Sequence, residues 1–199
     1  MTSALLCLVF AYLCGSVSTA ILVCRLMGLP DPRSEGSRNP GATNVLRIGG
    51  RKAAAITLAG DFLKGLIPVV VARAFGQGPE VLAATAFAAF LGHLYPVFFG
   101  FQGGKGVATA LGVMVGLSWQ VALAALATWL VIARVWKISS LAALGAATLS
   151  PLYALLFGLP GAYALALLPM VALLLWRHRE NIRRIRAGTE SRIGDKKKT

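Results

Sequence analysis

The stretch SALLCLVFAYLCGSVSTAILVC, residues 3–24, contains no charged side chain. A helix needs about 20 apolar residues to cross about 30 Å of hydrocarbon, and this stretch is long enough. It has no basic segment before it and no small-residue cleavage pattern after it, so we expect a retained span rather than a signal peptide. Its first cation is Arg25, which predicts an N-terminus outside the cell and Arg25 in the cytoplasm.

The composition of the whole chain extends this interpretation. The chain has 199 residues, of which 57% are hydrophobic and only 14% are charged. Soluble domains carry about 25% charged residues, so the composition argues against a water-soluble globule and excludes a disordered chain. Twenty Lys and Arg against seven Asp and Glu leave a formal charge of +13. Because these cations cluster between apolar runs, they indicate cytoplasmic loops of a membrane protein, and we expect no nucleic-acid partner.

Further apolar runs predict the remaining spans. Four of them, residues 53–72, 81–101, 141–157 and 162–176, each fit one crossing. The uncharged run 107–133 is too long for one crossing, and placing Lys105 and Arg134 on the same side requires two crossings with a turn near Gly116. We therefore predict an all-α polytopic membrane protein with seven transmembrane helices, the N-terminus outside and the C-terminus cytoplasmic. Residues 1–199 form one domain with cytoplasmic loops 26–52, 102–106 and 134–140 and a tail at 177–199.

Two cytoplasmic loops combine glycine with polar and basic residues. In the first, glycine and proline exclude one regular helix and favour tight turns whose N–H groups hold an anion. Its Ser37, Thr43, Asn44 and Arg47 add neutral donors and a guanidinium that suits phosphate oxygens. The second loop, residues 103–106 (GGKG), stands directly before an apolar helix, whose N-terminus favours negative charge. It lacks the spacing of a Walker A loop, and each loop taken alone is also compatible with a plain connector.

The tail and one apolar run hold further polar residues. On a helix continuing from the last span, His178 and Asn181 are three residues apart and share a face, whereas most tail arginines suit contact with anionic lipids. Ser140, at the start of the sixth span, is compatible with a capping role. Asp61 and Lys64 are close enough on one helix to pair, and such a pair is compatible with either a structural or a site-supporting role.

Taken together, these motifs resemble one family. The motifs are GSRNPGATN at 36–44 with Arg47, GGKGVATA at 103–110, HRENIRR at 178–184 and GTE at 188–190. They resemble the bacterial acyl-phosphate:glycerol-3-phosphate acyltransferases, the PlsY family, over the whole chain. The resemblance implies transfer of a fatty acyl group from acyl phosphate to the 1-hydroxyl of glycerol 3-phosphate. The products would be 1-acylglycerol 3-phosphate (lysophosphatidic acid) and inorganic phosphate, in the first step of phospholipid synthesis.

The resemblance also implies roles for individual residues. Ser37, Thr43, Asn44 and Arg47 would hold the acyl-phosphate headgroup, and Arg47, Lys105, Ser140, His178 and Asn181 would hold glycerol 3-phosphate. We expect Lys105, His178 and Arg47 to serve catalysis, with Gly103 and Gly104 contributing donors to developing charge. We expect a monomer in the bacterial cytoplasmic membrane, in contact with lipid and with its site facing the cytoplasm.

The chemistry expected from the residues agrees with this. Phosphate is a good leaving group, so the reaction requires no metal and no cofactor, and we expect neither. The sequence shows no Ser–His–Asp arrangement, which favours direct attack by the glycerol hydroxyl, with His178 either accepting its proton or orienting the substrate. A transporter of phosphorylated anions would need ionisable groups near mid-membrane, whereas nearly all candidate polar residues here lie on one face, which disfavours transport. A membrane phosphotransferase would need an Asp-rich metal motif, which the sequence lacks.

Overall fold

The structure, a computed structural model, describes residues 2–195, and within that range it contains helices and no strand. The α-helices are α1 (Thr2–Gly15), α2 (Thr19–Leu26), α3 (Ala42–Ala74), α4 (Pro79–Leu94), α5 (Val107–Leu117), α6 (Trp119–Trp136), α7 (Ser139–Leu156), α8 (Gly161–Arg177) and α9 (Arg179–Arg186). A short 3₁₀ turn, Val97–Phe99, follows α4. The predicted all-α class is confirmed, whereas the predicted tail cations Lys196, Lys197 and Lys198 lie outside the described residues.

Four of these helices, α3, α4 with its 3₁₀ turn, α6 and α7, are long and apolar enough to cross a membrane. The count rises to six if α1 with α2 and α8 with α9 each form one bent span, with bends of 41° and 60°. The predicted turn between 107 and 133 is present, since α5 ends at Leu117 and α6 begins at Trp119. However, α5 has 11 residues. It is therefore only about 17 Å long, short of a full hydrocarbon core of about 30 Å.

Helices α3 and α5 pack closely against each other. Gly65 of α3 lies against the backbone of Thr109 in α5, and Gly112 of α5 lies against the backbone of Phe62. A side chain at either glycine would collide with the facing backbone, so the absence of a Cβ lets these helices approach closely. The outer surface exposes many large apolar side chains, Leu5 and Leu165 among them, as expected for contact with lipid.

Three predicted boundaries are wrong in detail. The loop predicted at 26–52 is helical from Ala42, because its glycines and prolines are concentrated before that residue, and Gly50, with φ 76°, only kinks α3. The span predicted at 81–101 leaves the helix at Leu94, since Pro96 disfavours helical geometry in the residue before it. The tail does not continue α8, because the helix axis bends by 60° at His178.

Candidate active site

The segments 27–41, 95–106, 137–140 and 187–195 meet at one end of the bundle, which we call the site end. Hydrogen bonds join them in pairs. The Arg33 guanidinium donates to the carbonyl of Phe99 at 3.3 Å, and the Ile193 amide donates to the carbonyl of Lys137 at 2.6 Å. The loops that the sequence predicted to share one face therefore do lie together.

The glycine loop 103–106 is held on two sides. Its Gly104 amide donates to the carbonyl of His93 at 3.2 Å, and Arg177 donates to the carbonyls of Gly104, at 3.1 Å, and of Gly103. Both glycines are buried, and a Cβ on Gly103 would collide with the His93 carbonyl oxygen. The Gly104 amide is thus occupied by the protein. The loop's principal contribution to an anion site is the Lys105 side chain that it carries.

Lys105 belongs to a hydrogen-bond network that joins the glycine loop before α5 to α7, α9 and the tail. Its Nζ donates to Oδ1 of Asn181 at 2.5 Å, and Nδ2 of Asn181 donates to Oε1 of Glu190 at 2.5 Å. The same Glu190 oxygen accepts from the Ser140 hydroxyl at 2.7 Å, and its second oxygen accepts from Nε of Arg184 at 2.6 Å. Ser140 therefore contacts Glu190 and does not cap α7, because the N-cap residue of that helix is Ile138. Two of the predicted site residues, Ser140 and Asn181, therefore contact this carboxylate, and a third, Lys105, is joined to it through Asn181.

Burial and neighbouring charges set the protonation of this network. Burial, together with the positive charges of Arg184, Arg177 and Arg47, lowers the pKa of Lys105 to about 8, and the negative charge of Glu190 offsets only part of this effect. Burial would raise the pKa of Glu190, but hydrogen bonds from Asn181, Ser140 and Arg184 bring it below its usual value. At neutral pH the site therefore holds one carboxylate among several cations, and this excess of positive charge favours anion binding.

Arg47 and His178 flank the network. Arg47 is exposed and donates to the hydroxyl of Ser191 at 2.8 Å, so its guanidinium has further donors available. His178 is buried, and its Nδ1 lies 2.8 Å from the carbonyl of Leu174, which assigns the proton to Nδ1. Burial and the charge of Lys105 lower the pKa of His178 to about 4. The imidazole is therefore neutral at pH 7, and Nε2 is its acceptor atom.

The residues of the first loop that were predicted to hold the acyl-phosphate headgroup do not all face the site with their side chains. Asn44 is buried and organises the first loop. Its Oδ1 accepts from the Ser37 amide at 2.8 Å, and its Nδ2 donates to the carbonyls of Pro32, at 2.9 Å, and Glu35, at 3.0 Å. Ser37 and Thr43 are exposed. Asn44 therefore shapes the loop through the backbone, and the hydroxyls of Ser37 and Thr43 are the groups accessible to a ligand.

Sequence reasoning assigned no role to Glu190, Arg184 or Arg177. Glu190 was visible as one of three acids in a basic tail and as part of a motif, but its contacts span 50 positions to Ser140 and 9 to Asn181. Arg177 resembled one more basic residue at a membrane boundary. No local pattern distinguishes an arginine that contacts lipid from one that supports a glycine loop.

Comparison with known proteins gives a consistent result. The model of the family described as glycerol-3-phosphate acyltransferase matches residues 5–188. The glycerol-3-phosphate acyltransferase of Thioalkalivibrio sulfidiphilus is 63% identical over 188 residues, covering 94% of this chain and 93% of that protein. The enzyme of the same name from Methylococcus capsulatus is 56% identical, covering 94% and 95%.

Two solved structures share the fold. Both are crystal structures of PlsY (YgiH), an integral membrane glycerol 3-phosphate acyltransferase. Its glycerol 3-phosphate form superposes with a TM-score of 0.91 at 45% identity, and its lysophosphatidic acid form with 0.89 at 44%. Each comparison covers 96% of both chains. These identities and this coverage extend well beyond a shared helical architecture.

Proposed function

Because this chain belongs to the glycerol-3-phosphate acyltransferase family, we propose that it transfers a fatty acyl group from acyl phosphate to the 1-hydroxyl of sn-glycerol 3-phosphate. The chain is an integral membrane acyltransferase whose family acylates glycerol 3-phosphate to lysophosphatidic acid in phospholipid biosynthesis. The proposal adds the donor, the residues that hold each substrate and the side of the membrane on which they react. Inorganic phosphate is the second product.

The observation that carries the proposal is the cation-rich network around Lys105. Two phosphorylated reactants must approach each other in this reaction, and their repulsion has to be offset. Lys105 and Arg47 contact the phosphate of glycerol 3-phosphate, while the hydroxyl of Ser140 and the amide of Asn181 orient the molecule. Ser37, Thr43 and the N–H groups of the loop that Asn44 shapes hold the acyl-phosphate headgroup, and the acyl chain extends along the lipid-facing helices.

The chemical step is direct transfer. The 1-hydroxyl oxygen attacks the acyl carbonyl carbon and forms an ester bond, the bond from that carbon to the phosphate oxygen breaks, and the hydroxyl proton is transferred to the phosphate, which departs as inorganic phosphate. Neutral His178 lies beside Lys105 with Nε2 as its acceptor, so it accepts a hydrogen bond from the attacking hydroxyl and holds it in line. Lys105 stabilises negative charge on the carbonyl oxygen or the departing phosphate.

The same proposal includes the topology. The clusters of cations at the site end favour its placement in the cytoplasm, with the N-terminus outside and α5 as a short crossing covered by protein. The proposal also includes seven crossings and a monomer in the bacterial inner membrane.

One assay tests the donor. The protein purified in detergent is given palmitoyl phosphate and glycerol 3-phosphate, and both phosphate release and lysophosphatidic acid are measured. We expect equal amounts of the two products, and no sustained phosphate release without glycerol 3-phosphate. If the protein acylates glycerol 3-phosphate from a palmitoyl thioester but not from palmitoyl phosphate, the donor assignment is wrong although the family assignment stands.

A further inference from the structure

Asp61 and Lys64 form a buried ion pair within α3. Lys64 Nζ lies 2.8 Å from Oδ1 of Asp61, and the two side chains are 6% and 4% exposed. Lys64 also donates to the carbonyl of Val17 at 2.8 Å, at the break between α1 and α2. Charged groups inside a membrane protein cost free energy, and an apolar pair of similar size often packs as well or better. The pair therefore calls for an explanation beyond packing.

His93, at the end of α4, faces this pair. Its Nδ1 lies 3.7 Å from Oδ1 of Asp61, and within residues 2–195 that buried nitrogen has no hydrogen-bond partner. The imidazole is 5% exposed. The Nδ1 edge of the ring therefore faces the Asp61 carboxylate, which is itself paired with Lys64, and a nearby acceptor favours this orientation of a buried ring nitrogen.

The opposite edge of the same ring supports the glycine loop. A Cβ on Gly104 would collide with Nε2 of His93, and the His93 carbonyl accepts from the Gly104 amide at 3.2 Å. The next residue is Lys105, whose Nζ donates to Asn181. The hydroxyl of Thr109, in the first turns of α5, donates to the Asp61 carbonyl at 2.9 Å and ties the far side of the loop to the same turn of α3.

We propose that Asp61, Lys64 and His93 are positioning residues that hold the glycine loop where Lys105 meets the phosphate of glycerol 3-phosphate. The inference rests on the proposed function, which assigns that phosphate to Lys105. The ion pair sets the orientation of the His93 ring, and the ring sets how deeply Gly104 sits. None of the three residues contacts substrate. They act through the position of Lys105, so their effect is on the affinity for glycerol 3-phosphate.

His93→Ala removes the support beneath Gly104. We expect Kd and KM for glycerol 3-phosphate to rise about tenfold, with kcat changed less than about threefold, because the reacting groups remain present. A variant that merely lost folded protein would instead lower the apparent kcat at unchanged KM. His93→Gln restores a polar group near the position of Nε2 and should recover most of the affinity. Thr85→Ala, a buried polar residue two turns earlier in α4, is the matched control and should keep wild-type constants.

Three results would overturn the inference. They are a KM for His93→Ala within about twofold of wild type, an equal rise in Thr85→Ala, or no recovery in His93→Gln. If His93→Ala does not fold, the double variant Asp61→Leu/Lys64→Met removes both charges together, and an unchanged Kd in that variant rejects the role of the pair. The Kd for glycerol 3-phosphate is measured by calorimetry without any donor, so failure of the acyl-phosphate reaction leaves this test intact.

Discussion

Lys105 is an ammonium group that the fold removes from water and places among other cations. Its hydrogen bond to Asn181 and the charge of Glu190 partly offset that cost. A bound phosphate would offset more of it, because a dianion supplies the counter-charge that the protein leaves out. At the scale of single residues, the site is therefore arranged to gain free energy when an anion enters.

Replacing Lys105 tests this directly. Lys105→Met keeps the length of the side chain and removes the charge, so we expect kcat/KM for glycerol 3-phosphate to fall about 100-fold, because a hydrogen bond to a charged group contributes about 1.5–3 kcal/mol. Lys52→Met, an exposed lysine on α3, is the control and should stay within about twofold of wild type. Near-normal turnover in Lys105→Met would remove Lys105 from the site.

The pKa of Lys105, lowered to about 8, predicts a pH dependence. Below that pH the amine is charged and binds phosphate, and above it the amine becomes neutral, so kcat/KM for glycerol 3-phosphate should fall as pH rises through about 8. The second ionisation of a phosphate ester lies near pH 6, so the substrate is already a dianion in this range. In Lys105→Arg any remaining activity should lack this alkaline fall, because arginine stays charged. An unchanged alkaline limb in that variant assigns the ionisation to another group.

At the scale of elements, α9 and residues 187–195 fold back over the site. Ser191 contacts Arg47 of α3, Ile193 contacts the backbone at Lys137, and Glu190 contacts both Ser140 and Asn181. The position of residues 187–195 depends on these polar contacts, whereas α9 also packs Ile182 and Ile185 against the main apolar core.

Glu190→Ala should disrupt this element. The change leaves Ser140 and Arg184 without their shared acceptor and withdraws the acceptor of the Asn181 amide, so we expect kcat/KM to fall about tenfold or more. Glu180→Ala is a suitable control, because Glu180 pairs with Arg183 at the surface, with side chains 55% and 78% exposed. Such exposed pairs contribute little, and this variant should resemble wild type. Equal activities in the two variants would show that the network around Glu190 is dispensable.

At the scale of the whole molecule, the two ends of the bundle differ. The site end carries Lys105, Arg47, Arg177 and Arg184. At the opposite end, Arg73 donates to the carbonyls of Gly116, at 2.9 Å, and Leu117, at 3.0 Å, and so closes the end of α5. Arg73 therefore has a local structural role, and the asymmetry of the remaining charge supports the proposed orientation of the chain in the membrane.

Thiol labelling in intact cells tests that orientation. In a background with Cys7, Cys14 and Cys24 replaced by alanine, Glu80→Cys at the end opposite the site and Arg192→Cys at the site end are compared. Both positions are exposed. A membrane-impermeant maleimide should label only position 80 in intact spheroplasts and both positions after lysis. Labelling of position 192 in intact spheroplasts would place the site outside the cytoplasm.

The sequence alone was sufficient for the class of protein and the family. Apolar runs, clustered cations and short motifs are local properties, so the helices, their order and the turn before Trp119 followed from them. The predicted helix boundaries were less accurate where a helix begins before its apolar run, as α3 does at Ala42, or where a bend interrupts the helix, as at His178. Such ends depend on packing that the local pattern does not contain.

Only the tertiary structure decided which polar groups meet. Lys105 contacts Asn181 across 76 positions, Ser140 contacts Glu190 across 50, and His93 lies beneath Gly104 through packing between α4 and the loop before α5. It also showed that Asn44 binds its own loop. The physical reason is that hydropathy and charge act on each segment separately, whereas a polar network depends on distances that exist only once the helices have packed.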